Sequence, residues 1–141
     1  MIHLVEDIIA ELLRNKSIGT DPINKADWPV FSDGMGDDLH QGINVQATFS
    51  PSKGRIQRTG ETIFNPGFQV MVRAGKKSEA SSKIREIFSM FEGIKRFELS
   101  VEERRYRIEG VHVQGTVTFV GLDSQARPVF VLNCVTTIHE V

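Results

Sequence analysis

Cysteine is almost absent from this chain: Cys134 is the single one in 141 residues. One thiol cannot close an intrachain disulfide, so the fold does not depend on an oxidising compartment. Its setting, VFVLNCVTTI, is an apolar strand pattern, and the expected state is a buried, inert thiol rather than a nucleophile. Long hydrophobic runs are missing too, since no stretch approaches the ~20 apolar residues of a membrane span. Neither sign of charge dominates. The formal net charge is −1, without the basic excess of a general nucleic-acid binder or the acidic tail of a cation store. The N-terminal stretch MIHLVEDIIAELL has acidic residues inside its apolar pattern and no basic lead-in, so it reads as a helix rather than a signal peptide, and an intracellular site of synthesis is expected.

What is present is ordinary globular material, 40% hydrophobic and 25% charged. A chain of this length can bury roughly two-thirds of its unfolded surface, enough for a core without metal or disulfide. A single domain spanning 1–141 is expected, with no repeat, low-complexity tract or linker.

Apolar residues at helical spacing predict an amphipathic helix over 2–14, with Ile2, Val5, Ile9 and Leu12 on one stripe and Leu4, Ile8 and Leu13 widening it. The Gly and Pro of NKSIGTDP are expected to stop it. Residues 21–38 read as a loop in which Trp28, Val30 and Phe31 anchor to the core. GINVQATF (42–49) alternates as a half-buried strand. SPSKGRIQRTGET follows as a long loop or protruding hairpin carrying Lys53, Arg55 and Arg58. FQVMVRA (68–74) alternates again. A helix then places Ala80, Ile84, Ile87, Phe88 and Phe91 on one face, with Ser78 as N-cap and Gly93 just past its end. Three or four strands complete the chain, broken at Gly110, Gly121 and the turn DSQARP. Clustered strands with segregated helices predict an α+β fold: a mainly antiparallel sheet of four to six strands with two helices packed on one face.

Each familiar chemistry fails on spacing. A P-loop needs Gly, four residues, then Gly-Lys-Ser/Thr. Here Gly75-Lys76 is followed by Lys77 and preceded at the required distance by Val70, so the basic turn is a strand-to-helix joint. Asp33, Asp37 and Asp38 do not alternate as calcium-loop ligands do, and no closing Glu follows in register. His3, His40, His112 and His139 are scattered without the helical i, i+4 spacing of a zinc pair. His139 and Glu140 are neighbours on a strand and point to opposite faces, so adjacency does not make them a dyad. No serine stands in a nucleophile elbow. No catalytic, metal or cofactor residue is assigned, and the chain is not expected to be an enzyme. SVEERRYRIEG would put Glu103, Arg105, Arg107 and Glu109 on one strand face and Arg104, Tyr106 and Ile108 on the other. That charged face suits solvent, a guarded sheet edge or a salt-bridging subunit surface. One aromatic, Tyr106, among arginines is too few for a nucleic-acid stacking platform.

The order of four segments resembles a known family. They are the helix LVEDIIAELL; the loop DWPVFSDGMG before GINVQATF; NPGFQVMVRAGKKSEASSKIREIFSMFEG; and FVGLDSQARPVFVLNCVTTI. The third is similar to a Pro-x-x-Gln-Val-x-Val-Arg strand and small-residue helix, here Pro66, Gln69, Val70, Val72, Arg73, Ala80 and Gly93. The fourth is similar to a closing hairpin with Gly121, Asp123, Arg127 and Asn133. The chain thus resembles the minor capsid and tail terminator proteins, the head-to-tail completion proteins of long-tailed bacteriophages. SKGRIQ stands where a Gly-Gly-x-Pro loop is expected, and the Met35-Gly36 loop lacks an expected proline. The resemblance implies a virion structural protein, made in the bacterial host cytoplasm. It would cap the head-proximal end of the tail tube as an oligomeric, commonly hexameric ring. Its implied partners are its own copies, the tail tube protein and the head connector, with no membrane and no specific nucleic acid. Lys53, Arg55, Arg58, Glu103, Arg105 and Arg107 are the candidate subunit or tube contacts. The other reading open at this point is a small α+β module that binds a ligand or single-stranded nucleic acid.

Overall fold

A computed structural model describes residues 4–20, 28–32, 34–36, 39–48, 54–55 and 62–141, with backbone alone for 54–55 and 62–64. The first helix, α1, is Val5–Asn15. Val5, Ile8, Ile9, Leu12 and Leu13 are buried, as the apolar spacing predicts, and Leu4 stays exposed at the N-cap position. Each such side chain contributes about 1.5–3 kcal/mol of burial. The stop differs from the expected Gly and Pro. Ser17 takes the left-handed conformation (φ 59°) past the helix end, and the Ile18 N–H donates to the Leu13 carbonyl at 3.0 Å. This closes the last turn with a residue less suited than glycine to positive φ. Gly19 is needed for close approach instead. A Cβ there would collide with the Val30 side chain and come within 2.8 Å of the Trp28 carbonyl. Its absence lets the incoming chain lie against the loop that follows.

The strands are β1 (Val30–Phe31), β2 (Gly42–Thr48), β3 (Gly54–Arg55), β4 (Thr62–Phe64), β5 (Gly67–Arg73), β6 (Phe97–Val101), β7 (Arg104–Leu122) and β8 (Pro128–Glu140), with α2 (Lys77–Gly93) between β5 and β6. They form one sheet, antiparallel except for the β1–β2 pair. The eight segments fill six positions across it. Ile63 opposes His139 and Phe64 opposes Ile138; Gly67 opposes Val135 and Phe68 opposes Cys134, all in one unbroken register. β4 and β5 are therefore one strand interrupted at Asn65–Pro66. Proline has no N–H to give a ladder, yet the Pro66 carbonyl still accepts from the Thr136 N–H at 3.0 Å. β3 pairs with β4 on the side where β2 pairs with β5; most of the segment expected as a long loop or protruding hairpin after β2 lies outside the described residues.

Both helices cover the same sheet face. Ile43, Val45, Phe68, Val70, Val72, Phe130, Leu132, Cys134 and Ile138 point to it and join the buried faces of α1 and α2 in one hydrophobic cluster. Phe68 and Phe91 meet edge to face, centroids 5.7 Å apart. The fold is thus α+β with strands dominant, as expected. Trp28 and Val30 anchor the loop as expected, Val30 fully buried and Trp28 half-buried. Two local expectations fail. α2 begins one residue before Ser78, with Lys76 at the cap position and no side-chain cap, and Gly93 is its last residue rather than the one beyond. Gly110 and Gly121 do not break β7. They sit at register shifts, so the strand absorbs extra residues as bulges and continues for 19 residues.

Candidate assembly interface

The predicted contact residues fall in two places. Lys53 and Arg58 lie outside the described residues, as do Asp33, Asp37, Asp38 and His3; Arg55 ends β3, opposite Thr62. Glu103 is exposed in the β6–β7 turn, and Arg105 and Arg107 follow on β7. The structure brings Arg105 and Arg107 into an ionic patch at one end of the sheet. Arg105 Nη2 is 2.8 Å from Glu98 Oε2 on β6, and Arg104 Nη1 is 3.0 Å from Glu140 Oε1 on β8. Glu109 collects three cations: Arg107 Nε at 2.7 Å, His139 Nε2 at 3.3 Å when that ring is protonated, and Arg96 Nε at 3.6 Å. The carboxylate beside His139 is therefore Glu109 on the neighbouring strand, near the Arg107↔His139 register pair, not adjacent Glu140. The exposed pairs, Arg105–Glu98 and Arg104–Glu140, add little stability.

Tyr106 and Ile108 point the other way, into the core, and both are fully buried. The tyrosine among these arginines therefore offers no surface on which a base could stack. Cys134 is buried beneath the helices, and burial pushes its thiol up to about 12, so a thiolate is strongly disfavoured.

A second cluster joins residues far apart in sequence. Arg73 ends β5; Asp123 and Arg127 flank the β7–β8 turn. Both guanidinium groups are buried. Asp123 Oδ2 lies 2.8 Å from Arg127 Nε and 3.9 Å from Arg73 Nε. Desolvation alone would raise the Asp123 pKa. The backbone N–H groups of Arg127 and Gln125, together with the Arg127 guanidinium, outweigh it and hold the carboxyl below the usual 3.8. The outer nitrogens reach the loop before β2: Arg73 Nη2 donates to the Gly36 carbonyl and, at 2.8 Å, to the Leu39 carbonyl, while Arg127 Nη1 donates to the Leu39 carbonyl at 2.6 Å. The node fastens that loop to the closing hairpin. It joins the Arg of one resembling segment to the Asp and Arg of another.

The helix-free face carries a row of neutral amides across four strands, Gln46 opposite Gln69, Gln69 opposite Asn133, and Asn133 opposite Gln114. Gln69 Nε2 donates to Asn133 Oδ1 at 3.1 Å. Sequence reading missed this row because it is defined by register, which only the folded sheet supplies. Among the described residues no three His, Cys, Asp or Glu side chains converge as a metal site, and no helix is long and apolar enough to cross a membrane. The clefts are modest, one of about 380 Å³ lined by Trp28 and the first turns of α2, another of about 310 Å³ where α2 meets β7.

The chain matches no curated protein. A family model described as bacteriophage tail terminator protein matches residues 12–140, which takes in α2, every strand and the Arg73–Asp123–Arg127 node. Belonging as it does to the bacteriophage tail terminator family, the chain is a structural component of the phage virion.

Proposed function

We propose that copies of this chain close into a ring, hexameric as the resemblance implies, on the head-proximal end of the tail tube. The ring ends tube polymerisation and offers its other side to the head connector. The protein is made in the host cytoplasm and joins the tail there. A head-to-tail ring requires two unlike patches on opposite flanks of one subunit. The observation that carries the reading is that the family match coincides with such flanks. The ionic patch of Arg105 and Arg107, with Glu103 in the adjoining turn, lies at the β6–β7 end, and Arg55 lies on β3, on the β2 side of the sheet. Lys53, Arg55 and Arg58 meeting the carboxylates of Glu98, Glu103 and Glu109 on the neighbour would orient the contact.

The test is the mass of the purified protein in solution, alone and with polymerised tail-tube protein. A ring-sized species, in either condition, supports the reading; a strict monomer that ignores tubes removes it. Charge reversal at Arg55 with Arg58, and separately at Arg105 with Arg107, should weaken assembly most at low salt. Unchanged assembly would remove those residues from the interface.

A further inference from the structure

β7 changes character along its length. Its first part, with Arg104, Arg105, Arg107 and Glu109, is heavily charged and is covered on its outer side by β6, whose register ends at Ile108. From 110 to 122 the sequence GVHVQGTVTFVGL contains no Asp, Glu, Lys or Arg, and no strand among the described residues pairs with that outer edge. Natural edges are usually guarded by charge, proline or a covering element. Here the charge sits on the covered part and the open part has none. Bulges interrupt the edge beyond Gln114, but 111–114 runs in regular register against β8. On the far side of the sheet, β1 covers β2 only at Ile43 and Asn44. Residues 45–48 (VQAT) are likewise regular and uncharged, and no strand among the described residues is in register with their outer side, where Ser32 and Gly34 line a cleft with Val45 and Gln46.

A second feature lies beside the β7 edge. Phe88 and Glu92 of α2 with Val111, His112, Val113 and Gly115 line the cleft of about 310 Å³. Phe88, Val111, Val113 and Val117 are only half-buried against the core. A strand added at this edge would lay its helix-side residues over them and extend the core by one strand. Two open edges at opposite ends of one sheet, joined head to tail, give either a fibre or a closed ring, and only the ring leaves neither of these two segments unpaired in any copy.

We infer that the subunit contact is strand addition: the outer edge of β7 at 111–114 pairs with the outer edge of β2 at 45–48 of a second copy, so that sheets run continuously round the ring. The inference rests on the ring reading above and specifies how its subunits join. Gln114 and Gln46 both lie on the helix-free face. Opposed Cβ atoms on paired strands lie within about 4.5–5.5 Å, close enough for a disulfide after small adjustment.

Full-length double variants, Q114C with Q46C and Q114C with Thr48→Cys, are oxidised after assembly and run on a denaturing gel. All three positions are exposed, so folding is preserved, and buried Cys134 stays out of the reaction. The expected result is a ladder of cross-linked species reaching the ring number in at least one double variant, with each single variant monomeric. In the unmodified chain, amide exchange at 111–114 and 45–48 should slow by about tenfold or more on assembly. Rings without a ladder and without new protection overturn the strand pairing while leaving the ring itself standing. Dimers from Q114C alone would show the β7 edge meeting itself and also overturn it. Wild-type protein that stays monomeric with and without polymerised tubes removes the ring reading and this inference together.

Discussion

Replacing Arg73 with methionine keeps the apolar stem and removes the guanidinium that holds the loop before β2. Gly36 is exposed, so water can take over its carbonyl. The half-buried Leu39 carbonyl keeps its second donor, Arg127 Nη1 at 2.6 Å. Losing a charged donor under these conditions is expected to cost about 1–2 kcal/mol. Arg127→Met should leave the same carbonyl with Arg73 at 2.8 Å. Only the double variant orphans it, and only then does Asp123 lose both cations. The double loss should therefore exceed the sum of the singles by about 1–2 kcal/mol. Urea unfolding, with the midpoint compared at unchanged m, measures all three. Additivity within about 0.5 kcal/mol would refute a shared grip on Leu39.

Other outcomes follow from single groups. The depressed Asp123 pKa means that its contribution to stability is present above the ordinary value of 3.8 and is lost as pH falls through the lower folded value. Acid unfolding of Asp123→Asn should accordingly show a weaker pH dependence below pH 4, and an unchanged acid limb would contradict the assignment. Cys134, with a thiol pKa of about 12, should resist alkylation at pH 8 in native protein and react readily in urea; fast native labelling would mean the strand is not packed as described.

Much of the scaffold can be read directly from spacing. Ile8, Leu12 and Leu13 on α1, Ile84, Ile87 and Phe91 on α2, and Phe68, Val70 and Val72 on β5 all face the core where the helical and strand periods place them. What spacing hides is continuity and register. Pro66 lacks the N–H a ladder uses, yet β4 and β5 share one register because only that donor is missing. Gly110 reads as a break, but the ladder to β8 passes it as a bulge. The left-handed stop at Ser17 has no signal in residue type. The polar contacts between strands are harder still. Glu109 meets His139, Arg73 meets Asp123, and Gln46, Gln69, Asn133 and Gln114 align only once β8 lies between β5 and β7. The resemblance named several of these residues without revealing that they touch.

The most direct measurement is electron microscopy of tail-tube protein polymerised with this chain present. The expected image is one ring at one end of each tube, with elongation stopped at that end. Density spread along the tube walls, or tubes that lengthen as if the chain were absent, would contradict a function carried by subunit contacts at the tube end.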